Sequence, residues 1–296
     1  MHTYELKVDD KSQGLRLDIF LTKNLSDIPS RNFIQTVIEA NNARVNGKIV
    51  KSHYKVLVGD QINVTIPDLE GSDITPENIA LDIFFEDENL LVINKPVGMM
   101  VHPATGQYTG TLVNALLYHC KELSDVNSSV RPGIVHRLDK ETSGLMLVAK
   151  NNKTHAKLAE QFENHTIKKQ YVALVEGIVE FDEGLIDAPL GRHPHHREKK
   201  AVMFSDSKEA QTFYRVLRRM KDKTLIALFP QTGRTHQLRV HMKYLGHPIL
   251  GDDKYGKRNS FPRLALHAKS IGFLHPQTSR YLEVSSKTPK EFLEAK

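Results

Sequence analysis

One stretch without positive charge divides this chain before any fold is considered. Residues 68–88 hold eight acidic side chains and no Lys or Arg. Gly71, Ser72 and Pro76 lie within it, so it reads as a linker running into the next strand. The 296 residues suit two domains at roughly 100–200 residues each. The boundaries expected are a first unit over 1–67, an acidic linker over 68–80 and a larger unit over 81–296. With no cation to pair with phosphate, the linker is expected to stand away from a bound polyanion or to screen the hinge.

The rest of the chain is basic. Residues 1–67 carry nine basic and seven acidic side chains, and residues 89–296 carry 32 basic against 20 acidic. A basic body of that size suits a polyanionic partner, most simply nucleic acid, although a solvated basic surface has the same composition. A hydrophobic content of 40% and a charged content of 26% are those of a globular protein. No apolar run approaches the ~20 residues of a membrane span, so no membrane partner is expected. The opening MHTYELKVDD builds no apolar segment of the secretory kind. Cys120 is the sole cysteine, which excludes an intramolecular disulfide and any multi-cysteine metal site. A cytoplasmic protein is expected.

In the first unit, Ser30 is the expected N-cap of a helix whose apolar positions are Phe33, Ile34, Val37 and Ile38. Ala43–Val45 meets Asn46-Gly47, a strong two-residue hairpin signal, and Lys48–Val50 returns. Gln61–Ile66 alternates as a strand. Arg16, Arg31, Arg44, Lys48 and Lys51 surround this helix and hairpin with positive charge. So small a domain suits holding something by its surface. From Leu81 onward, strands are expected at Leu90–Asn94, Gly144–Lys150, Tyr171–Glu176 and Leu225–Phe229, and helices at Leu112–His119 and Thr154–Phe162. A last helix is expected to be capped by Thr235, to carry Leu238, Met242 and Leu245 on one face, and to end at Gly246. Short strands with unevenly spaced helices place the fold in the α+β class rather than among regular parallel sheets.

The chain has no G-x-x-x-x-G-K-[ST] loop, no G-x-G-x-x-G after a strand and no H-E-x-x-H. His193-Pro194-His195-His196 lacks an acidic or sulfur companion at useful spacing, and its neighbours Arg192, Arg197, Lys199 and Lys200 favour a solvated basic loop. His236 and His241 project from different helix faces. No metal and no cofactor are expected. Two polar segments differ in kind. GIVHRLDKETSG (133–144) crowds His136, Arg137, Asp139, Lys140, Thr142 and Ser143 between apolar flanks. It is either a functional loop or a turn in which Asp139 or Thr142 caps a neighbour. QTGRTHQLRVH (231–241) sets Arg234 and backbone N–H groups at a helix entrance, an arrangement that suits an anion, and Arg239 one turn on points back toward it. Basic residues on an amphipathic helix are the plainer alternative.

HRLDKETSG resembles the signature of the RluA-type pseudouridine synthases. Further matches follow in that family's order: VINKPVG (92–98) with Val101-His102-Pro103, KQYVALVEG (169–177), TGRTHQLRVH (232–241), GHPILGD (246–252) and Leu266-His267-Ala268. The likeness spans 81–296. The first unit resembles the small RNA-binding domain shared with ribosomal protein S-four. That pairing, with Gly191-Arg192-His193-Pro194, is most similar to the D-type large-subunit ribosomal RNA synthases. Only nine residues separate Tyr255-Gly256 from Leu266-His267-Ala268, fewer than in some D-type members.

The resemblance implies a helix-plus-hairpin RNA-binding domain followed by a mixed, largely antiparallel catalytic sheet with flanking helices. It implies a cofactor-free isomerase acting on large-subunit (23S) ribosomal RNA, free or in an assembling particle, and the chain is expected to work as a monomer in ribosome biogenesis. Asp139 becomes the catalytic aspartate, which can attack sugar or base or support elimination, and Arg239 its ion-pair partner, keeping it ionised as substrate desolvates it. Tyr171 becomes the active-site tyrosine, stacked on uracil with its hydroxyl near the proton leaving C5. Arg137 would fill the gap left by the extruded nucleotide. His136, Thr142 and Arg234 would shape the loop and bind phosphate, and Arg31, Arg44 and Lys48 would hold RNA in the first unit. Other targets, on ribosomal RNA or tRNA, are the sister reading. A ribosome-assembly binding factor would not need the nucleophile, and an N-glycosidase would release uracil.

If the first unit supplies phosphate contacts, deleting residues 1–67 flattens the salt dependence of RNA binding, whose slope is about −0.7 per neutralised phosphate on single strands. Chemistry on a minimal substrate should change less. A filter-binding salt titration of both forms checks this, and an unchanged slope contradicts the assignment.

Overall fold

The computed structural model describes residues 2–25, 31–66, 74–103, 107–126, 131–196, 198–257 and 260–295. The described residues up to Ile74 form one compact unit, and nearly all those from Thr75 form a second.

The first unit contains β1 (His2–Lys7), α1 (Leu17–Asn24), α2 (Arg31–Glu39), β2 (Ala43–Val45), β3 (Lys48–Ile49) and β4 (Gln61–Ile66). Its sheet runs β1-β4-β2-β3, all antiparallel. The β2–β3 hairpin turns on Asn46 and Gly47, both at positive φ (50° and 77°), as the favoured two-residue hairpin turn requires. Leu17, Phe20 and Leu21 of α1 meet Ile34, Val37 and Ile38 of α2 over Val45, Ile62 and Val64. The expected Ser30 cap and the Arg31 side chain lie outside the described residues. Arg16 is bound up in the fold: its Nε and Nη2 donate to the buried Asp18 carboxylate at 3.1 and 3.0 Å. Neither β1 nor α1 was expected from the sequence.

Of the expected linker, residues 68–73 lie outside the described residues, as does Pro67 before it. Residues 75–80 are bonded into the second unit: Thr75 O accepts from Asn114 Nδ2 at 2.9 Å, and the Glu77 carboxylate accepts from Gly110 N at 3.0 Å. The strands that follow are β5 (Ile83–Glu86), β6 (Leu90–Lys95), β7 (Ser143–Ala149), β8 (Lys168–Glu176), β9 (Glu183–Asp187), β10 (Leu190–Arg192), β11 (Lys200–Val202), β12 (Ser207–Lys208), β13 (Gln211–Arg219), β14 (Lys223–Pro230), β15 (Leu266–Leu274) and β16 (Tyr281–Ser285). The helices are α3 (Leu112–His119), α4 (Asn152–Glu163), α5 (Gln237–Tyr244) and α6 (Lys290–Leu293). The main sheet has the order β5-β6-β7-β15-β8-β14-β13-β9, with β16 also on β15, and β10, β11 and β12 form a separate small sheet. Every pairing in the main sheet is antiparallel except β7 with β15. The fold is therefore α+β with a mixed, largely antiparallel sheet. Leu238 and Met242 of α5 and Phe292 of α6 pack with Leu174, Leu228 and Leu266 of the sheet, while Leu158 of α4 packs on its other half with Leu145, Leu147 and Phe273.

Ala268 of β15 faces Gly144 of β7 on one side and Tyr171 of β8 on the other. Two strand spacings, about 10 Å in all, therefore separate the end of the 136–142 loop from the tyrosine. Gly144 permits this: its φ is +122°, and a Cβ there would lie 2.3 Å from the Ala268 carbonyl oxygen. That close backbone approach accounts for the glycine that ends HRLDKETSG.

The expected Thr235 cap of α5 is not formed. The residue preceding α5 is His236, in left-handed backbone (φ 59°, ψ 17°) and without a side-chain cap bond. Gln237 closes the turn instead. Its Oε1 accepts from Thr232 Oγ1 at 2.7 Å and Arg234 N at 2.9 Å, and its Nε2 donates to Gln211 O at 2.9 Å. A buried amide can satisfy both sides of the turn, which a threonine hydroxyl one residue outside it cannot. Gly246, at φ 88°, follows the helix end as expected.

Candidate active site

The 136–142 loop is fastened at several points before it presents Asp139. Leu147 N of β7 donates to His136 Nε2 at 2.9 Å, and the ring lies 4.6 Å from the Phe162 ring of α4. Burial, with Lys169 nearby, drives the His136 imidazole down to about 3. It is neutral at physiological pH, and its ring fastens the loop to β7. Leu138 is buried. Asp139 O accepts from Thr142 N at 3.1 Å, and Lys140 O accepts from Gly98 N at 2.9 Å. Lys95, fully buried at the end of β6, donates its ammonium protons to the carbonyls of Pro96, Met99 and Lys140 at 2.8, 2.9 and 3.2 Å. Burial lowers that ammonium to about 8 against the opposing pull of Glu141 and Asp139. The VINKPVG segment thus clamps the loop through its lysine.

The Asp139 side chain is 23% exposed and opens into a cleft of about 530 Å³. Its charge partner comes from α5. Arg239 Nη1 lies 3.3 Å from Asp139 Oδ2. The expected pairing is present, but it is the looser of two. Arg239 Nε and Nη2 each donate at 2.7 Å to Asp252, whose carboxylate is fully buried. Burial opposes the Arg239 charge, yet the two carboxylates more than offset it and raise the guanidinium above its ordinary value. The Asp252 carboxyl is likewise opposed by burial, and Arg239 with the N–H groups of Tyr255 and Lys254 brings it below the usual carboxylate range. The guanidinium also stands 5.2 Å from the centre of the Tyr255 ring.

Tyr171 lines the same cleft from β8, half-buried. Burial, and then the Asp139 charge, push its hydroxyl well above the ordinary tyrosine range, so it holds its proton at neutral pH. Arg137 is exposed on the cleft wall. Thr142 is buried, and the half-buried Arg234 donates from Nε to Glu209 O at 3.0 Å. His136, Arg137, Asp139, Thr142, Tyr171, Arg234 and Arg239 therefore border one cleft. In the other unit, Arg44 Nη1 donates to Gly47 O at 3.3 Å and Lys48 is exposed on the hairpin.

Three residues that line the cleft or contact Arg239 behind it were not singled out as functional from the sequence. Asp252 lay in a quoted motif, but nothing in its spacing tells that it faces Arg239. Tyr255 Oη lies 2.7 Å from His236 Nδ1. Lys169 sits two residues before Tyr171 and lines the cleft. In the histidine loop, His193 Nδ1 accepts from the backbone N–H groups of His195 and His196. Among the described residues no group of three or more His, Cys, Asp or Glu is placed to hold a metal ion, and no helix is long and apolar enough to cross a membrane.

Comparison with known proteins places the whole chain among its relatives. The profile of the family described as RNA pseudouridylate synthase matches residues 89–244, and that of the S4 domain matches residues 15–62. The RNA pseudouridine synthase YlyB of Bacillus subtilis is 45% identical over 99% of this chain and 97% of its own. The ribosomal large subunit pseudouridine synthase D of Zymomonas mobilis is 40% identical over 98% of this chain and 96% of its own. Among solved structures, human RNA pseudouridylate synthase domain containing 1 aligns over 72% of this chain and 85% of its own, with a TM-score of 0.61 and 27% identity.

The Asp252–Arg239 pair makes a pH-dependent contribution to stability. The Asp252 carboxyl titrates lower folded than unfolded, where the ordinary value is about 3.9. Its stabilisation is therefore full above that value and is lost as pH falls through the depressed folded one. Replacing Asp252 with Asn should cost roughly 3 kcal/mol at pH 7, because a buried guanidinium loses its tightest partner, and should flatten the acid limb. Urea unfolding from pH 3 to 7 measures both, and parallel limbs for the two proteins would contradict the assignment.

Proposed function

The chain belongs to the RNA pseudouridylate synthase family and is an isomerase of the D type at family level, and on that premise we propose that it converts uridines of large-subunit ribosomal RNA to pseudouridine with Asp139 as the catalytic carboxylate. The observation that carries this reading is the placement of Asp139: a partly buried carboxylate on a fastened loop, one oxygen beside a buried guanidinium, facing a cleft that Tyr171 also lines. The S4 domain is an RNA-binding module, and several relatives of this chain are named as large-subunit synthases.

The reaction breaks the C1′–N1 bond of uridine, turns the base, joins C5 to C1′, removes the C5 proton and leaves N1 bearing one. It is redox-neutral. Uridine in folded RNA must first leave its stack, at a few kcal/mol. Arg137, exposed on the cleft wall, fills the gap left behind. Asp139 attacks or supports elimination at the nucleotide that enters, and Arg239 stabilises its charge as water leaves. The Tyr171 ring stacks on uracil. Its hydroxyl, kept protonated, orients the base near C5 rather than acting as a strong base. Arg234 binds a phosphate, while His136 and Thr142 hold the loop. Residues 1–67 hold RNA through Arg31, Arg44 and Lys48, and residues 81–296 carry the chemistry. The protein works in the cytoplasm as a monomer, during ribosome biogenesis.

The test is tritium release from a large-subunit ribosomal RNA transcript labelled at uridine C5. Native protein should release tritium without free uracil, and Asp139→Asn should release none while still binding. Free uracil would identify an N-glycosidase, and an active Asp139→Asn protein would remove the carboxylate from the mechanism.

A further inference from the structure

The turn that opens α5 holds its histidine in left-handed backbone. His236 lies at φ 59° and ψ 17°, a region that Gly takes freely and that Asn, Asp and His enter more often than other side chains. Backbone preference admits histidine here but does not distinguish it from Asn or Asp, and its ring contacts do. Tyr255 Oη lies 2.7 Å from His236 Nδ1, and the same oxygen accepts from Lys200 N at 2.8 Å. A phenol has one proton to give. With Lys200 as its donor, Tyr255 directs that proton to Nδ1. Burial raises the Tyr255 hydroxyl above its ordinary value and lowers the His236 imidazole below its own, so the phenol keeps its proton and the ring is neutral. A neutral imidazole that accepts at Nδ1 carries its hydrogen on Nε2.

That Nε2 lies 3.9 Å from Asp139 Oδ2. Arg239 Nη1 approaches the same oxygen at 3.3 Å. Two donors from one helix entrance thus converge on one oxygen of the carboxylate. We propose that His236 is a positioning residue for Asp139: its Nε2–H, fixed as a donor by Tyr255, closes on Oδ2 when substrate fills the cleft, so that Oδ1 is the oxygen that meets the uridine. Catalytic contacts of this kind often tighten when substrate binds. The inference rests on Asp139 being the catalytic carboxylate. It adds that the histidine of TGRTHQLRVH serves the reaction through its far nitrogen and not through phosphate.

Two substitutions separate this from a packing role. His236→Asn suits the left-handed backbone, and its amide can still meet Tyr255 as Nδ1 does, but it stops short of Asp139. His236→Gln is no better for the backbone, yet its amide nitrogen reaches the place of Nε2. In single-turnover tritium release by the full chain, Gln should stay within about fivefold of native and Asn should lose about 50-fold or more. The loss should fall on the rate at saturating RNA, with the dissociation constant for the transcript and the melting temperature near native. Tyr255→Phe should also slow the reaction, and combining it with His236→Asn should add little. Asn equal to native, or better than Gln, would overturn the proposal. Should His236→Asn fail to fold, the Tyr255→Phe and His236→Gln cycle decides: coupling sustains it and simple additivity overturns it. ¹⁵N NMR of the histidine rings is independent of turnover. It should show His236 protonated at Nε2 alone, and protonation at Nδ1 would overturn the relay. A native protein without tritium release would count against the proposed function, while the NMR result would still decide the relay.

Discussion

A single buried guanidinium joins the parts of this cleft that lie far apart in the chain. Arg239 stands on α5, Asp252 eight residues past the helix end and Asp139 on a loop a hundred residues earlier. The planar fork of arginine suits this task. Its Nε and Nη2 edge takes Asp252 in two parallel bonds, leaving Nη1 to face Asp139. A lysine ammonium has no such geometry. The two contacts differ in a way that matters chemically. The 2.7 Å bonds to Asp252 are short, charge-assisted and buried, and they orient the arginine. The 3.3 Å approach to Asp139 steadies a carboxylate without enclosing it, so one oxygen remains available to the cleft.

The sheet supplies the rest of the geometry. Ala268 lies between Gly144 and Tyr171, so three strands bring the loop and the tyrosine together. The parallel β7–β15 pairing is confined to two residue pairs, and the close passage at Gly144 belongs to it. On the other side of the loop, Lys95 gathers three carbonyls into one ammonium site. A buried lysine is costly unless fully bonded, and here its bonds cross from β6 to the loop that carries Asp139.

Local pattern made much of the fold legible. The helical spacing at Phe33–Ile38, the Asn46-Gly47 turn and the apolar runs of β6 and β7 each encode their own structure within a few residues. The elements that escaped notice carry weak local signals. In β1 only Tyr4 and Leu6 alternate, and β13 ends in Arg218-Arg219 with its outer face exposed. The α5 entrance misled because Thr235 is a good cap by type, whereas the turn is closed by Gln237 reaching residues 25 and 26 positions away. The same limit applies to the cleft. Asp139, Tyr171 and Arg239 stood out because their motifs resemble those of a known family. Asp252, Tyr255 and the role of Lys95 are long-range pairings, and no spacing rule connects residue 239 to 252 or 95 to 140.

The readiness of Asp139 depends on Arg239 serving two carboxylates at once, and Arg239→Lys separates that geometry from charge. Lysine keeps the charge but cannot hold Asp252 with two bonds and still face Asp139. The measurement is the single-turnover rate of tritium release from C5-labelled ribosomal RNA, with the melting temperature and RNA affinity followed in parallel. The predicted result is a folded, RNA-binding protein whose rate falls by about 10²-fold or more. A rate within threefold of native would show that charge alone suffices and that the shared guanidinium is not what readies Asp139.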